Sequence, residues 1–139
     1  MKRYTYTTTT DVPADKLYGA IADISHWPDW DVDIEATTHN GAASPGAPFT
    51  LKPRGGPKVA MEIVEATAPT RFVDLARLPL GRMRTSHFFT PDAAGTRVDV
   101  RIEVWGPLGF LWDRVVARKQ AAGAADQTRA FLAFAASRP

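Results

Sequence analysis

The stretch Thr96-Arg97-Val98-Asp99-Val100-Arg101-Ile102-Glu103-Val104-Trp105-Gly106-Pro107 decides how the chain is organised. Val98, Val100, Ile102 and Val104 alternate with Arg97, Asp99, Arg101 and Glu103, the period of two expected for a strand with one buried face. At Gly106-Pro107 the alternation stops. Residues 108–136 then contain no proline and are rich in Ala, Leu, Arg and Gln. This composition predicts a helix of about 40 Å, with Trp112, Val116, Gly123, Ala130 and Phe134 on one face.

Working backwards, the same period of two appears in short runs at 48–54, 58–66, 71–78 and 83–90, separated by turn-forming connectors such as Gly55-Gly56-Pro57 and Pro79-Leu80-Gly81. Val32, Ile34 and Ala36 alternate with Asp31, Asp33 and Glu35, which predicts a strand with its acids in water. Thr- and Tyr-rich residues 2–11 read as a first strand. Asp11-Val12-Pro13-Ala14-Asp15 reads as a helix start with Asp11 as its cap, and Leu17, Ala20, Ile21 and Ile24 follow at helical spacing as far as Pro28. The order is strand, one or two short helices, six strands, long helix. It predicts an α+β fold: a curved antiparallel sheet of about seven strands wrapped around the C-terminal helix. The two apolar faces must pack on each other, and incomplete contact leaves a cavity.

At 139 residues the chain is read as one domain, residues 1–139, with 45% hydrophobic and 23% charged residues. There is no cysteine, which excludes disulfide scaffolds, thiolate metal sites and cysteine nucleophiles. The net charge of +2 gives no argument for nucleic acid. No run approaches the length of a membrane span, and the basic start is not followed by an apolar stretch, so a cytoplasmic location without integral membrane association is expected. Asp29, Asp31, Asp33 and Glu35 lack the glycine-turned loop of a calcium site. No metal and no cofactor are expected, and the sequence gives no oligomer signal.

Four fragments, in order, resemble the START-like (SRPBCC) superfamily with its helix-grip fold, and within it the polyketide cyclase/dehydrase and lipid-transport branch. They are Val12-Pro13-Ala14; Ala22-Asp23-Ile24-Ser25-His26-Trp27-Pro28-Asp29-Trp30-Asp31; Phe89-Thr90-Pro91 with Gly95-Thr96-Arg97-Val98; and Gly106-Pro107-Leu108-Gly109. The resemblance implies an internal pocket for a lipid, aromatic, polyketide or other largely apolar small molecule. It does not fix an activity, because the fold hosts carriers, sensors and cyclases. It further implies that the positions four and two residues before Pro91, here His87 and Phe89, face inward.

The predicted ligand-contacting residues are Trp30 as an aromatic wall, His87 and Phe89 on one strand, Val100 and Ile102 on the last strand, and Trp112, Lys119 and Gly123 on the terminal helix. His87 is also the one candidate acid/base group if the protein is an enzyme. Each has a structural alternative: Trp30 as a plug, His87 as a satisfied core histidine, Lys119 as a side chain reaching for water. Arg71, Arg77, Arg82 and Arg84 surround one hairpin and either bind an acidic group or form a solvated outer face. Three functions stand: carriage of an apolar small molecule, aromatase/cyclase-type catalysis through His87, and a stress or regulatory protein-interaction module.

Overall fold

A computed structural model describes residues 1–139. Seven antiparallel strands form one open sheet: β1 (Lys2–Thr10), β2 (Ile34–Thr38), β3 (Pro48–Pro53), β4 (Val59–Thr67), β5 (Arg71–Leu78), β6 (Gly81–Asp92) and β7 (Gly95–Trp105), in the spatial order β1-β7-β6-β5-β4-β3-β2. Consecutive strands from β2 to β7 are neighbours because their connectors are short. β1 closes the other edge on β7, with Tyr4 opposite Ile102 and Tyr6 opposite Val100. Helix α1 (Ala14–Ala22) and a 3-10 turn (Ile24–Asp29) link β1 to β2. The helix-grip architecture expected from the sequence is therefore the one observed.

The terminal helix is not one rod. It runs as α2 (Gly109–Trp112), a π turn (Asp113–Ala117), α3 (Arg118–Ala122) and α4 (Ala124–Ser137), broken at Gly123. Its buried residues are Asp113, Ala117, Ala124, Thr128, Phe131 and Ala135, one position along from the predicted stripe. Small side chains sit there because the helix lies close on β1, β7 and α1. The π turn is pinned to β1: the Tyr4 hydroxyl donates to Asp113 Oδ1 at 2.6 Å, and Arg118 holds Oδ2 at 3.2 Å.

Two other expectations are corrected, and one alternative left open by the sequence is decided. Asp31 is buried and Val32 exposed. The chain leaves the 3-10 turn through backbone bonds around Trp27 and Asp31 before β2 begins, and a register shift at Ile34/Ala36 turns Ala36 outward. Asp11 does not cap α1; Pro13 is the N-cap and no side chain bonds to it. The arginine hairpin is an outer face with internal partners: Arg77 pairs with Glu62, Arg71 with Glu65 and Arg84 with Glu103, while Arg82 donates to the carbonyls of Leu78 and Gly81.

The core is continuous from α1 through the sheet to α4. At its centre Phe131 packs at 5.0 Å from Trp30 and stacks on Phe89 at 6.1 Å. Trp27 donates its indole N–H to the Ile21 carbonyl at 2.9 Å and lies edge-on to Phe49 and Phe72. No helix is long and apolar enough to cross a membrane. Phe131→Ala is expected to lower the unfolding free energy by about 3–5 kcal/mol, read by urea titration. A loss below about 1 kcal/mol would show that this ring does not hold helix to sheet.

Candidate functional site

Because the terminal helix lies on β1 and β7, and α1 covers only part of β5 and β6, a portion of the concave face of β3 to β6 is left uncovered. A cavity of about 530 Å³ fills the gap, within the usual range for small-molecule sites. Its floor is Leu51, Met61, Asp74, Ala76, Leu78, Met83, Thr85 and His87 of the sheet. Its roof is Val115, Val116, Lys119, Gln120, Gly123 and Gln127 of the helix, and Trp27, Trp30 and Asp31 close one side. Arg54, Gly55 and Gly56, in the β3–β4 turn, stand at the mouth.

Among the predicted ligand-contacting residues, Trp30, His87, Lys119 and Gly123 line this cavity. The other four do not. Val100 and Ile102 lie on β7, which the helix covers directly. Phe89 is fully buried beneath Phe131. Trp112 turns to the β5–β6 hairpin, where its indole N–H donates to the Pro79 carbonyl at 2.7 Å and its ring crowds Gly81.

The sequence reading passed over Asp74, although its phase was legible. On β5 the inward residues are Phe72, Asp74, Ala76 and Leu78, so Asp74 interrupts a buried apolar row. It lies opposite Ile63 on β4 and Thr85 on β6, and His87 is the next inward residue along β6. Asp74 and His87 are thus diagonal neighbours on one face, with Cβ atoms about 7 Å apart by sheet geometry. Burial alone pushes the Asp74 carboxyl up to about 7 and the His87 imidazole down to about 4. Near neutral pH the imidazole is uncharged and the carboxyl exchanges its proton.

Two polar atoms here lack a protein partner. The Trp30 indole nitrogen and His87 Nδ1 are buried without one. Others are matched: Gln120 Nε2 donates to Thr85 Oγ1 at 3.3 Å, a strut from helix to sheet. Gln127 Nε2 donates to Asp31 Oδ2, and the Asp33 amide donates to Asp31 Oδ1 at 2.9 Å. Burial still raises the Asp31 carboxyl above its ordinary range. The alternation of residues 31–36 places Asp31 in water, and the sequence carries no signal for either glutamine, since polar residues near an apolar stripe normally face water. Asp126, on the flank of α4, is exposed and pairs with Arg129. His39 is half-buried with its ring edge-on to Phe49, away from the cavity.

The two unpaired groups have opposite linkage to pH. Asp74 binds its proton more tightly in the folded protein, so its contribution is fully present below about pH 4 and is lost as pH rises to about 7. His87 binds its proton less tightly when folded, so its contribution is present above about 6.5 and is lost as pH falls towards 4. Between these limits the slopes offset. Asp74→Asn is expected to uncover the His87 slope, with stability rising by about 1.4 kcal/mol per pH unit between about pH 4 and 6.5. His87→Gln should uncover the reverse slope. Thermal unfolding across this range checks both, and parallel profiles for the two variants would contradict the burial of these groups.

No curated protein matches the chain. Among solved structures, protein MLL2253 from Mesorhizobium loti superposes with a TM-score of 0.75 at 14% identity, covering 94% of this chain and 93% of that one. Ara h 8.0201 superposes at 0.74 with 16% identity, covering 99% of both chains. The di-domain ARO/CYC StfQ of the steffimycin biosynthetic pathway superposes at 0.76 with 17% identity, covering 98% of this chain and 51% of StfQ. At these identities the likeness is one of fold. The family model described as polyketide cyclase / dehydrase and lipid transport matches residues 1–133, and the chain belongs to that family.

Proposed function

We propose that the protein binds a small molecule with a largely apolar body and a polar end, and carries or sequesters it in the cavity between sheet and terminal helix. The observation that carries this reading is the polarity gradient of the lining. Trp27, Trp30, Leu51, Met61, Met83 and Val116 offer apolar walls, while Asp74, Thr85 and His87 converge on one patch of the floor. Buried polar groups without partners destabilise a fold unless a ligand completes them. A ligand carbonyl can accept a hydrogen bond from protonated Asp74, and a hydroxyl can donate to His87 or to the carboxylate. Aromatic and polyketide-derived molecules with carbonyl or hydroxyl groups fit this description better than a simple hydrocarbon chain.

A second reading, an aldol-type cyclisation catalyst, is favoured by one specific observation: Asp74 and His87 share the cavity, and Asp74 titrates near neutral pH. Ring closure of a poly-β-ketone requires a base that removes a proton from a methylene and an acid that protonates a carbonyl oxygen. The ionisable groups lining the cavity include Asp31 and Asp74 beside the His87 and Lys119 expected from sequence. Asp74→Asn separates the readings: a carrier retains its function on binding, whereas a catalyst loses turnover while still binding.

The test of binding uses Gly123. It lines the cavity, has a negative φ of −91°, and a Cβ added there meets nothing closer than 3.7 Å. Gly123→Leu fills the cavity from the break between α3 and α4, where the negative φ admits leucine but glycine is the better N-cap, so stability is expected to fall by no more than about 1 kcal/mol. Uptake of a fluorescent naphthalene probe, and co-purification of any small molecule seen by native mass spectrometry, should fall at least about tenfold. Unchanged probe uptake in a folded Gly123→Leu variant would place binding elsewhere and defeat the proposal.

A further inference from the structure

We infer that the open end of the cavity is a docking surface for an anionic lipid bilayer, so that the mouth faces the membrane when ligand passes. The inference concerns the rim alone and holds whichever ligand the cavity takes.

The antiparallel register gathers several connectors at one end of the sheet. Ile34 at the start of β2 lies opposite Pro53, Leu51 lies opposite Val59 across the β3–β4 turn, and Leu78 lies opposite Gly81 across the β5–β6 turn. The same end receives the exit of β7, since Trp105 lies opposite Arg82. Hydrogen bonds tie these connectors together: Arg54 Nε donates to the Val32 carbonyl at 3.0 Å, and the Leu108 amide donates to the Leu80 carbonyl at 2.9 Å. The cavity opens here, between the β3–β4 turn and the helix segment that carries Val115 and Lys119.

Large apolar side chains that point into water concentrate at this end. Val32 (77% exposed), Phe110 (70%), Leu80 (64%), Val115 (44%) and Leu111 (37%) belong to it. Single exposed apolar residues are normal, but five gathered at the one end of the sheet where the cavity lies, with Val115 in its lining, are more than scattered singles. Leu80 is the most telling. It holds a positive φ of 53°, a region that leucine seldom adopts. Neither burial in the protein nor backbone preference accounts for a leucine at that tip.

The charge around these tips identifies the partner. Lys2, Arg54, Lys58, Arg114 and Lys119 are all exposed at this end. Asp113 is buried and already held by Tyr4 and Arg118, and Glu35 is paired with Lys52, which leaves Asp29 and Asp33 as exposed acids against the larger set of cations. Apolar tips set in a cationic rim match an anionic bilayer, whose surface attracts basic residues by about a factor of five each. A second copy of the chain is disfavoured, because a two-fold contact through this rim sets cation against cation. The outer-face arginines differ, since Arg71, Arg77 and Arg84 are engaged by Glu65, Glu62 and Glu103.

The test is co-sedimentation with phosphatidylcholine vesicles, with and without about one-third phosphatidylglycerol. The protein is expected to bind the anionic vesicles only, and to release as salt approaches about 0.5 M. Phe110→Ser should weaken binding about tenfold. Lys58→Glu combined with Arg114→Glu should weaken it at least about thirtyfold. Leu80→Asn gives the sharpest readout: asparagine tolerates a positive φ, so melting temperature should hold or rise while vesicle affinity falls about tenfold. Arg71→Glu, on the outer face, should leave binding unchanged. Failure to bind anionic vesicles, equal binding to neutral ones, or loss of binding in Arg71→Glu but not in Leu80→Asn would overturn the inference.

Discussion

The structure depends on where the terminal helix touches the sheet. Ala117, Ala124, Thr128 and Ala135 let it lie close on β1 and β7, and Phe131 locks it to Trp30 and Phe89. A helix about 10 Å wide cannot also cover β3 to β6. Phe49, Phe72 and Phe89 of those strands still pack against Trp27 and Phe131, but the part of their inner face around Met61, Asp74, Met83 and Thr85 borders empty volume. The cavity is therefore a geometric remainder of helix packing at one edge of a seven-stranded sheet.

That arrangement sets the electrostatics of the interior. Side chains facing the cavity are removed from bulk water without gaining the partners that a packed core would demand. Asp74 and His87 respond in opposite directions, the acid upward and the base downward, because both shift towards the uncharged form. Keeping such groups costs stability, and proteins concentrate such costs at sites with a task. On the outside of the same sheet the charges are arranged differently. Glu103, though buried, is held by Arg3 and Arg84, which keep its carboxyl below the usual range even against burial. The two faces show the difference between paired charge that braces a sheet and unpaired charge left in reserve.

The mouth of the cavity carries a third kind of surface. Its connectors are short turns and a broken helix, so their side chains have little of the protein to pack against. Val32, Leu80 and Phe110 extend outward from backbone that is fixed by hydrogen bonds between the loops. A rigid rim with apolar tips presents those tips without an ordering cost when it meets a partner.

The sequence by itself determined the element order, the inward phase of the long strands and the family, because alternation of apolar residues and turn-forming connectors are local signals. It also placed Trp30, His87, Lys119 and Gly123 on faces that meet the cavity. The phase of Asp74 was equally local, in step with Phe72, Ala76 and Leu78, and could have been found by asking which charged residue breaks an inward row. Only the tertiary structure decided that Val100, Ile102 and Phe89 are sealed core while Met83 and Thr85 border open space. All of these residues face inward. Whether an inward side chain meets a helix or a void depends on the helix's lateral position over the sheet, which contacts distant in sequence set, and no pattern within one strand encodes it.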